Sequence, residues 1–364
     1  MSEDSTSAGK SVGDSIILFA AIVIVISGAK LASAILVPFL LSLFITIILL
    51  VPVETLIKRG VPAWLSLLIV VAVMLVFFAG VFIIVGTASA NFSADLPTYQ
   101  SDLLVLVSDV SAWFDARGID VSASGLKDAI DPARMVSFFQ GFLGDIGGAL
   151  SGIMLVVFIV IFMLTDANLF SRKIGLHQPE HHEAERLLGK LSALVASLST
   201  YAKIKAAVSL LTGILIWSGL SLIGVKYPVL WGLLAFLLNF IPTIGSIIAA
   251  FPVLLLALLS LDPVLLLMII GLYLSVNIIV GNFVEPVWMG GEVGLSTLAV
   301  FLSMVFWGWL FGPVGMLLSV PLTVAVKYYA SIHPRTEWLA LLLSNKAEHA
   351  AIGTNPGVDD RGAK

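Results

Sequence analysis

Cysteine is absent from the 364 residues, which excludes disulfides, thiolate nucleophiles and thiolate metal sites. Charge is scarce. Asp, Glu, Lys and Arg make up 12% of the chain, about half the share in an ordinary soluble domain. There is no basic excess either: the formal net charge is -4, so nucleic acid is not expected as a partner. The phosphate-loop pattern GxxxxGK[ST] does not occur, which argues against ATP-driven transport, and neither GxSxG nor HExxH is found. His181 and His182 are adjacent and so do not share a helix face; with His177 and Glu185 they read as a solvated helix. The expectation is a protein that is not an enzyme and has no catalytic residue, cofactor or metal site.

What fills the chain instead is apolar: 59% of residues are hydrophobic and the mean hydropathy is +1.08. A water-soluble protein of this composition would expose too much apolar surface. The sequence predicts an all-α, polytopic membrane protein of eight transmembrane helices. The polar tail 1–15 is acidic before its one lysine, unlike a secretory signal, so the first apolar run is expected to be a retained helix. Spans are predicted at Ile16–Ser27 (extended into Ser11–Ser15), Leu31–Val51 with Pro38 inside, Ala63–Ser89, Ala149–Leu164, Ala207–Ile223, Val229–Leu261, Pro263–Val284 and Ser296–Val326. By domain, helices 1–3 occupy 16–90, an acidic amphipathic extracytoplasmic region 91–147, and helix 4 148–168. A cytoplasmic amphipathic region follows at 169–206, then helices 5–8 at 207–327 and a cytoplasmic tail at 328–364.

The acidic region holds Asp95, Asp102, Asp109, Asp115, Asp120, Asp128, Asp131 and Asp145 against Arg117, Lys127 and Arg134. Leu103, Leu104, Leu106, Val107, Val110, Trp113 and Phe114 recur near helical spacing within it, predicting one amphipathic helix and a second, short one around Met135–Phe142. Such helices lie against membrane lipid or a partner subunit. Eight crossings put both termini on one side. Lys58, Arg59, Arg172, Lys173, Lys203, Lys205 and Lys327 share that side, against Lys30 and Lys226 opposite, so both termini are expected in the cytoplasm.

The sixth span, centred on LLNFIPTIGSIIAAFPV (Leu237–Val253), is where polar and helix-breaking residues concentrate. Pro242 lacks an amide hydrogen and predicts a break around Ile241–Gly245, with Asn239, Thr243 and Ser246 satisfying freed backbone groups or lining a polar path. Broken backbone at membrane depth requires surrounding protein or a hydrated cavity. A structural kink in a packed bundle is the plainer alternative. In the seventh span Asn277, Gly281 and Glu285 recur at i, i+4 and i+8, with Asn282 adjacent and Pro286 ending the run. Glu285 is either a functional charge facing a cavity or a boundary residue in water. Asp166 and Asp262 are secondary charge candidates; Asp166 could pair with Arg172, Lys203 or Lys205, and Asp262 could simply cap the Pro263 helix. The eighth span is broken at Gly308, Gly312, Pro313 and Gly315, candidates for a gate, and its WLFGPVG weakly echoes NFIPTIG in the sixth. Discontinuous sixth and eighth segments suit a secondary transporter.

NFIPTIGSIIAAFP (Asn239–Pro252), the stretch from Asn282 through Glu285 and Pro286, GPVGMLLSVPLTV (Gly312–Val324) and FMLTD (Phe162–Asp166) together resemble the autoinducer-2 exporter (AI-2E) family, over about residues 12–330. The resemblance implies an eight-helix, multi-pass protein of the bacterial inner membrane, working as a homo-oligomer. It also implies a small transported solute: an autoinducer-2-like polar molecule, or alternatively sodium or lithium exchanged for protons. A titrating carboxylate among Glu285, Asp262 and Asp166 would serve the second. Asn239, Thr243, Asn277 and Asn282 would serve a polar organic solute without one. A gated channel or a membrane scaffold is a third possibility.

Overall fold

The computed structural model describes residues 4–117, 152–176, 182–259, 263–289, 294–331 and 336–344, with single residues at 137, 141, 144 and 148. The Met135–Phe142 helix, Asp262, His177 and His181 therefore fall wholly or mainly outside the described residues. Within them the chain is helical, without a β-sheet. Its elements are α1 (Asp4–Leu31), α2 (Ser33–Lys58), α3 (Ala63–Asp115), α4 (Ile153–Leu176), α5 (His182–Ile223), α6 (Pro228–Leu238), α7 (Gly245–Leu259), α8 (Pro263–Val276), a π-helical segment (Asn277–Val284), α9 (Glu285–Met289), α10 (Thr297–Leu317), α11 (Ser319–Ala330) and α12 (Glu337–Leu343).

Length and composition qualify five helices to cross a membrane: Ser33–Lys58, Ala63–Asp95, Ala193–Ile223, Pro263–Met289 and Thr297–Leu317. Shorter apolar helices accompany them at Phe19–Leu31, Ile153–Asp166, Pro228–Leu238 and Gly245–Leu258. The chain is thus an all-α, multi-pass membrane protein, though not one of eight plain crossings. The short helices show why.

Helix α6 runs antiparallel to α5. Gly232 packs on Trp217, Phe236 on Gly213, and Asn239 Nδ2 donates to Ser209 Oγ at 3.0 Å, so partner numbers in α5 fall as α6 advances. At 11 residues α6 rises only ~16 Å. The chain then turns through Asn239–Ile244. Gly245 packs directly on the Leu238 carbonyl, and Ala235 and Ala249 share one cavity wall, so α7 returns alongside α6. The expected sixth crossing is a helical hairpin that leaves by the end it entered. Pro242 supplies the break, but the carbonyls it was expected to free are mostly taken up by tightened bonds, Phe240 N–H to Leu237 and Ile241 N–H to Leu238. A further tight bond runs from Ile244 N–H to Pro242, bending the chain through Thr243 at φ 63°, a conformation unfavourable for a β-branched residue.

The eighth segment folds back in the same way. Gly312 (φ 67°, ψ -152°) interrupts α10, Gly315 packs on the Trp307 carbonyl and Gly308 faces Met316. Trp307 Nε1 donates to Thr323 at 2.9 Å, and Lys327 donates to the Gly294 carbonyl at 2.9 Å. Thr297 and Lys327 therefore lie at one end of a second hairpin. Between the hairpins in sequence, the later half of α8 and the π segment run antiparallel to α5, from Leu272 on Gly219 to Glu285 on Lys205. The first hairpin opens at the Ile223 end of α5 and the second at the opposite end. Phe240 from the first tip and Leu318 from the second share a buried cluster with Phe44 and Tyr201.

Three expected helix ends also move. Helix α3, 53 residues long in all, does not stop at Ser89 but continues through Pro97 to Asp115, absorbing the amphipathic helix placed at Leu103–Phe114. Helix α5 is a single 42-residue rod, so the amphipathic stretch before Ala207 is continuous with the span. Helix α4 likewise runs past Asp166 to Leu176. Elsewhere glycine marks true ends. Gly60 (φ 90°) and Gly224 (φ 86°) close α2 and α5, with Val61 N–H reaching back to Leu56 and Val225 N–H to Leu220. This is the left-handed stop that glycine alone adopts without strain.

Beyond Gly224 the connection is tied down by Asp95 of α3, which accepts from Lys226 Nζ at 2.8 Å and from the Tyr227 hydroxyl at 2.7 Å. This pair is solvent-exposed, and such pairs contribute little to stability. D95N is expected to shift the melting temperature only slightly while raising hydrogen exchange at Gly224–Tyr227; an unchanged exchange pattern would count against the anchoring role.

Candidate transport site

Helix α5 presents Tyr201, Lys205, Ser209 and Thr212 at i, i+4, i+8 and i+11, and all four are buried. Opposite them the eighth helix and its π segment present Asn277, Gly281 and Glu285. Because the two elements are antiparallel, the stripes face each other. Thr212, Asn239, Ser246, Asn277 and Gly281 line a cavity between them, with Tyr273 on the wall. Space open to the centre of a water-sized sphere is ≈ 10 Å³, about enough for one water. Thr212 lies ~16 Å along α5 from Ile223, at mid-depth of a hydrocarbon core about 30 Å thick.

The π segment shapes this wall. Its eight residues are wider than an α-turn, a feature found often at functional sites, and it turns Asn277 and Gly281 toward the cavity before α9 begins at Glu285. A side chain at Gly281 would come to 3.6 Å from the Asn277 amide oxygen. Asn239 is held by Ser209, and Tyr273 donates to the Ala249 carbonyl at 3.5 Å.

Below the cavity, ~27 Å along α5 from Ile223, Lys205 Nζ lies 2.5 Å from Glu285 Oε1, with side chains 5% and 20% exposed. Lys205 is therefore neither a loop lysine, as its use in the orientation argument assumed, nor a partner of Asp166. Asp166 is exposed, and so is Lys203 on the outer side of α5.

The predicted residues fall into three places. Asn239, Asn277 and Gly281 line the cavity, and Glu285 sits beneath it with Pro286 exposed just after. Pro242, Thr243 and Gly245 build the first hairpin tip, with Thr243 pointing outward. Gly312, Pro313 and Gly315 build the second tip, and Gly308 sits one turn before it. Asn282 is exposed and does not line the cavity. Sequence reasoning missed Lys205, Ser209 and Thr212. Their helical spacing in an otherwise apolar stretch was the available signal.

A multi-pass helical bundle with two broken hairpins, and a small cavity with polar groups held between α5, the first hairpin and the π segment, suits a membrane transport protein rather than an enzyme. Comparison with known proteins agrees. A model of the AI-2E family transporters matches residues 16–332, and the chain belongs to that family. A Haemophilus influenzae protein named "Putative transport protein" is 39% identical over 330 residues, 90% of this chain and 94% of its own. The AI-2 transport protein TqsA of Escherichia coli (strain K12) is 35% identical over 330 residues, 91% of this chain and 95% of its own. Among the described residues no group of His, Cys, Asp or Glu is placed to hold a metal ion.

Proposed function

We propose that the protein is a secondary carrier exporting a small, uncharged, polar solute of autoinducer-2-like chemistry across the bacterial inner membrane. The supporting observation is the cavity: hydroxyls and amides from α5, both arms of the first hairpin and the π segment converge at mid-depth. The nearest charges, Lys205 and Glu285, neutralise each other. A site of this kind favours neutral solutes rich in hydroxyl and carbonyl groups, and leaving its polar groups unpaired would be costly. The name of the TqsA relative points to the same class of cargo.

In this reading α1–α5 and α8 cross the membrane and the two hairpins enter from opposite faces. That arrangement suits alternating access, with Gly308–Gly315 moving at the second tip and the Asn239–Gly245 turn at the first. Replacing two crossings by two hairpins preserves parity, so both termini stay cytoplasmic and the acidic region 91–147, which begins within α3, stays outside. The exposed Asn282 amide in an apolar helix supports a homo-oligomer in which a second copy covers it.

Uptake of labelled autoinducer-2 into inside-out proteoliposomes tests the cargo. N277L is expected to lower flux at least tenfold, the loss of about one well-made polar contact, while N282L leaves flux unchanged. Equal effects of the two would remove the cavity from the transport path. A sodium or lithium/proton antiporter is the second reading, carried by the Glu285 carboxylate within an apolar helix. Sodium-dependent proton movement, seen with a pH-sensitive dye and lost in E285Q, would put it ahead. No flux of either kind from folded protein would favour a scaffold.

A further inference from the structure

We propose that Glu285 is a latent monovalent-cation site whose occupant is the chain's own Lys205 ammonium, so that the carrier works without a bound sodium or lithium ion. The inference is argued from the geometry of the pair and rests on the proposed reading that the cargo is an uncharged solute rather than sodium or lithium.

A carboxylate within an apolar helix needs a compensating charge, which can be a metal cation, a proton or a basic side chain. Here the compensating group is covalently supplied. Lys205 reaches Glu285 from α5, 80 positions away in sequence, and it is the more deeply buried partner, at 5% exposure. Lys203, two positions earlier in α5, is exposed on another face of the helix. Among the described residues no other carboxylate is paired with Lys205, and no second lysine or arginine with Glu285.

The surroundings would also suit a small cation if the ammonium were withdrawn. Glu285 follows directly on the π segment, with its backbone N–H donating to the Val280 carbonyl, and its carboxylate is the kind of hard oxygen donor that small cations accept. The pair lies between the polar cavity and the end of the bundle where the second hairpin opens. A cation bound here would join α5 to the π segment, as Lys205 does now. Lys205 would therefore set ion dependence: with lysine the carrier is indifferent to sodium, and without it the site is exposed to the ions around it.

The test is thermal unfolding of purified full-length protein in detergent, at one fixed pH, in NaCl or LiCl against choline chloride at equal ionic strength. Wild-type protein is expected to melt at the same temperature in all three. K205M, which keeps side-chain length but removes the charge, is expected to melt lower in choline. Its midpoint should then climb by roughly 2 °C for each tenfold rise in sodium or lithium above the dissociation constant. K205M/E285Q should lose that response. Should K205M fail to fold in choline, its recovery when sodium is present throughout purification is the same result in another form, and failure to recover overturns the proposal. Sodium stabilisation of the wild type, or a K205M protein indifferent to sodium, would also overturn it. None of these readings depends on autoinducer-2 flux, so an error over the cargo would show separately.

Discussion

K205M with Glu285 left in place is expected to cost about 3–5 kcal/mol in a sodium-free medium, the usual penalty for removing one partner of a buried ion pair. The loss is not the strength of the pair. It is the cost of keeping a carboxylate between α5 and α9 with nothing to compensate it. E285Q alone should be costly for the mirror reason, since Lys205 is the more buried of the two, with 5% of its side chain exposed against 20% for Glu285. K205M/E285Q should recover much of the loss, because a neutral amide beside a thioether needs no counter-charge. The quantity to measure is the coupling: melting midpoints of the four proteins, with the double mutant more stable than the sum of the singles predicts. Additive losses would mean that the two residues act independently and that the contact is incidental. Because the pair is buried, salt should screen it weakly, so wild-type midpoints should vary little between low and moderate choline chloride.

How much of this was legible in the sequence depended on what kind of fact was sought. The breaks at Pro242 and Gly312 were legible, because proline lacks a donor and a positive φ needs glycine whatever the surroundings. The direction taken after each break was not. A helix interrupted at mid-depth can continue across or fold back, and packing decides: Gly232 admits Trp217, Gly245 admits the Leu238 carbonyl and Gly315 the Trp307 carbonyl. Helix ends at the membrane boundary were also misplaced. Composition changes at Ser89 and Ala206, yet backbone hydrogen bonding is indifferent to whether lipid or water surrounds it, and α3 and α5 continue. The stripe Asn277, Gly281, Glu285 could be read because its spacing is local. Its partner, the Tyr201–Thr212 stripe, was obscured by counting Lys205 as a charge for orientation. A basic residue contributes to that count only near a loop, and Lys205 is in the packed bundle.

Gly315→Ala should be the most damaging single-methyl change in the second hairpin, and Gly245→Ala its equal in the first. In both, the added Cβ would overlap a backbone carbonyl, that of Trp307 or of Leu238, and backbone cannot rotate away as a side chain can. The two arms would have to separate at the tips, where Phe240 and Leu318 enter the buried cluster with Phe44 and Tyr201. Overpacking of this kind costs about 3 kcal/mol when backbone must shift, and here the displacement would fall on the contact between hairpins. Gly308→Ala is the informative contrast. Its Cβ would meet Met316 Cγ at 2.7 Å, but methionine is flexible enough to give way, so the loss should be under about 1 kcal/mol. Gly271→Ala, with open space around it, should be neutral or slightly stabilising, since alanine favours the helix. Melting midpoints and solute flux of the four variants separate two explanations. If Gly315→Ala and Gly245→Ala lower both while Gly308→Ala lowers neither, close approach of backbones at the tips holds the hairpins closed. If Gly308→Ala keeps its stability but loses flux, the second tip must instead flex at Gly308, and the motion of that arm, rather than its packing, limits transport.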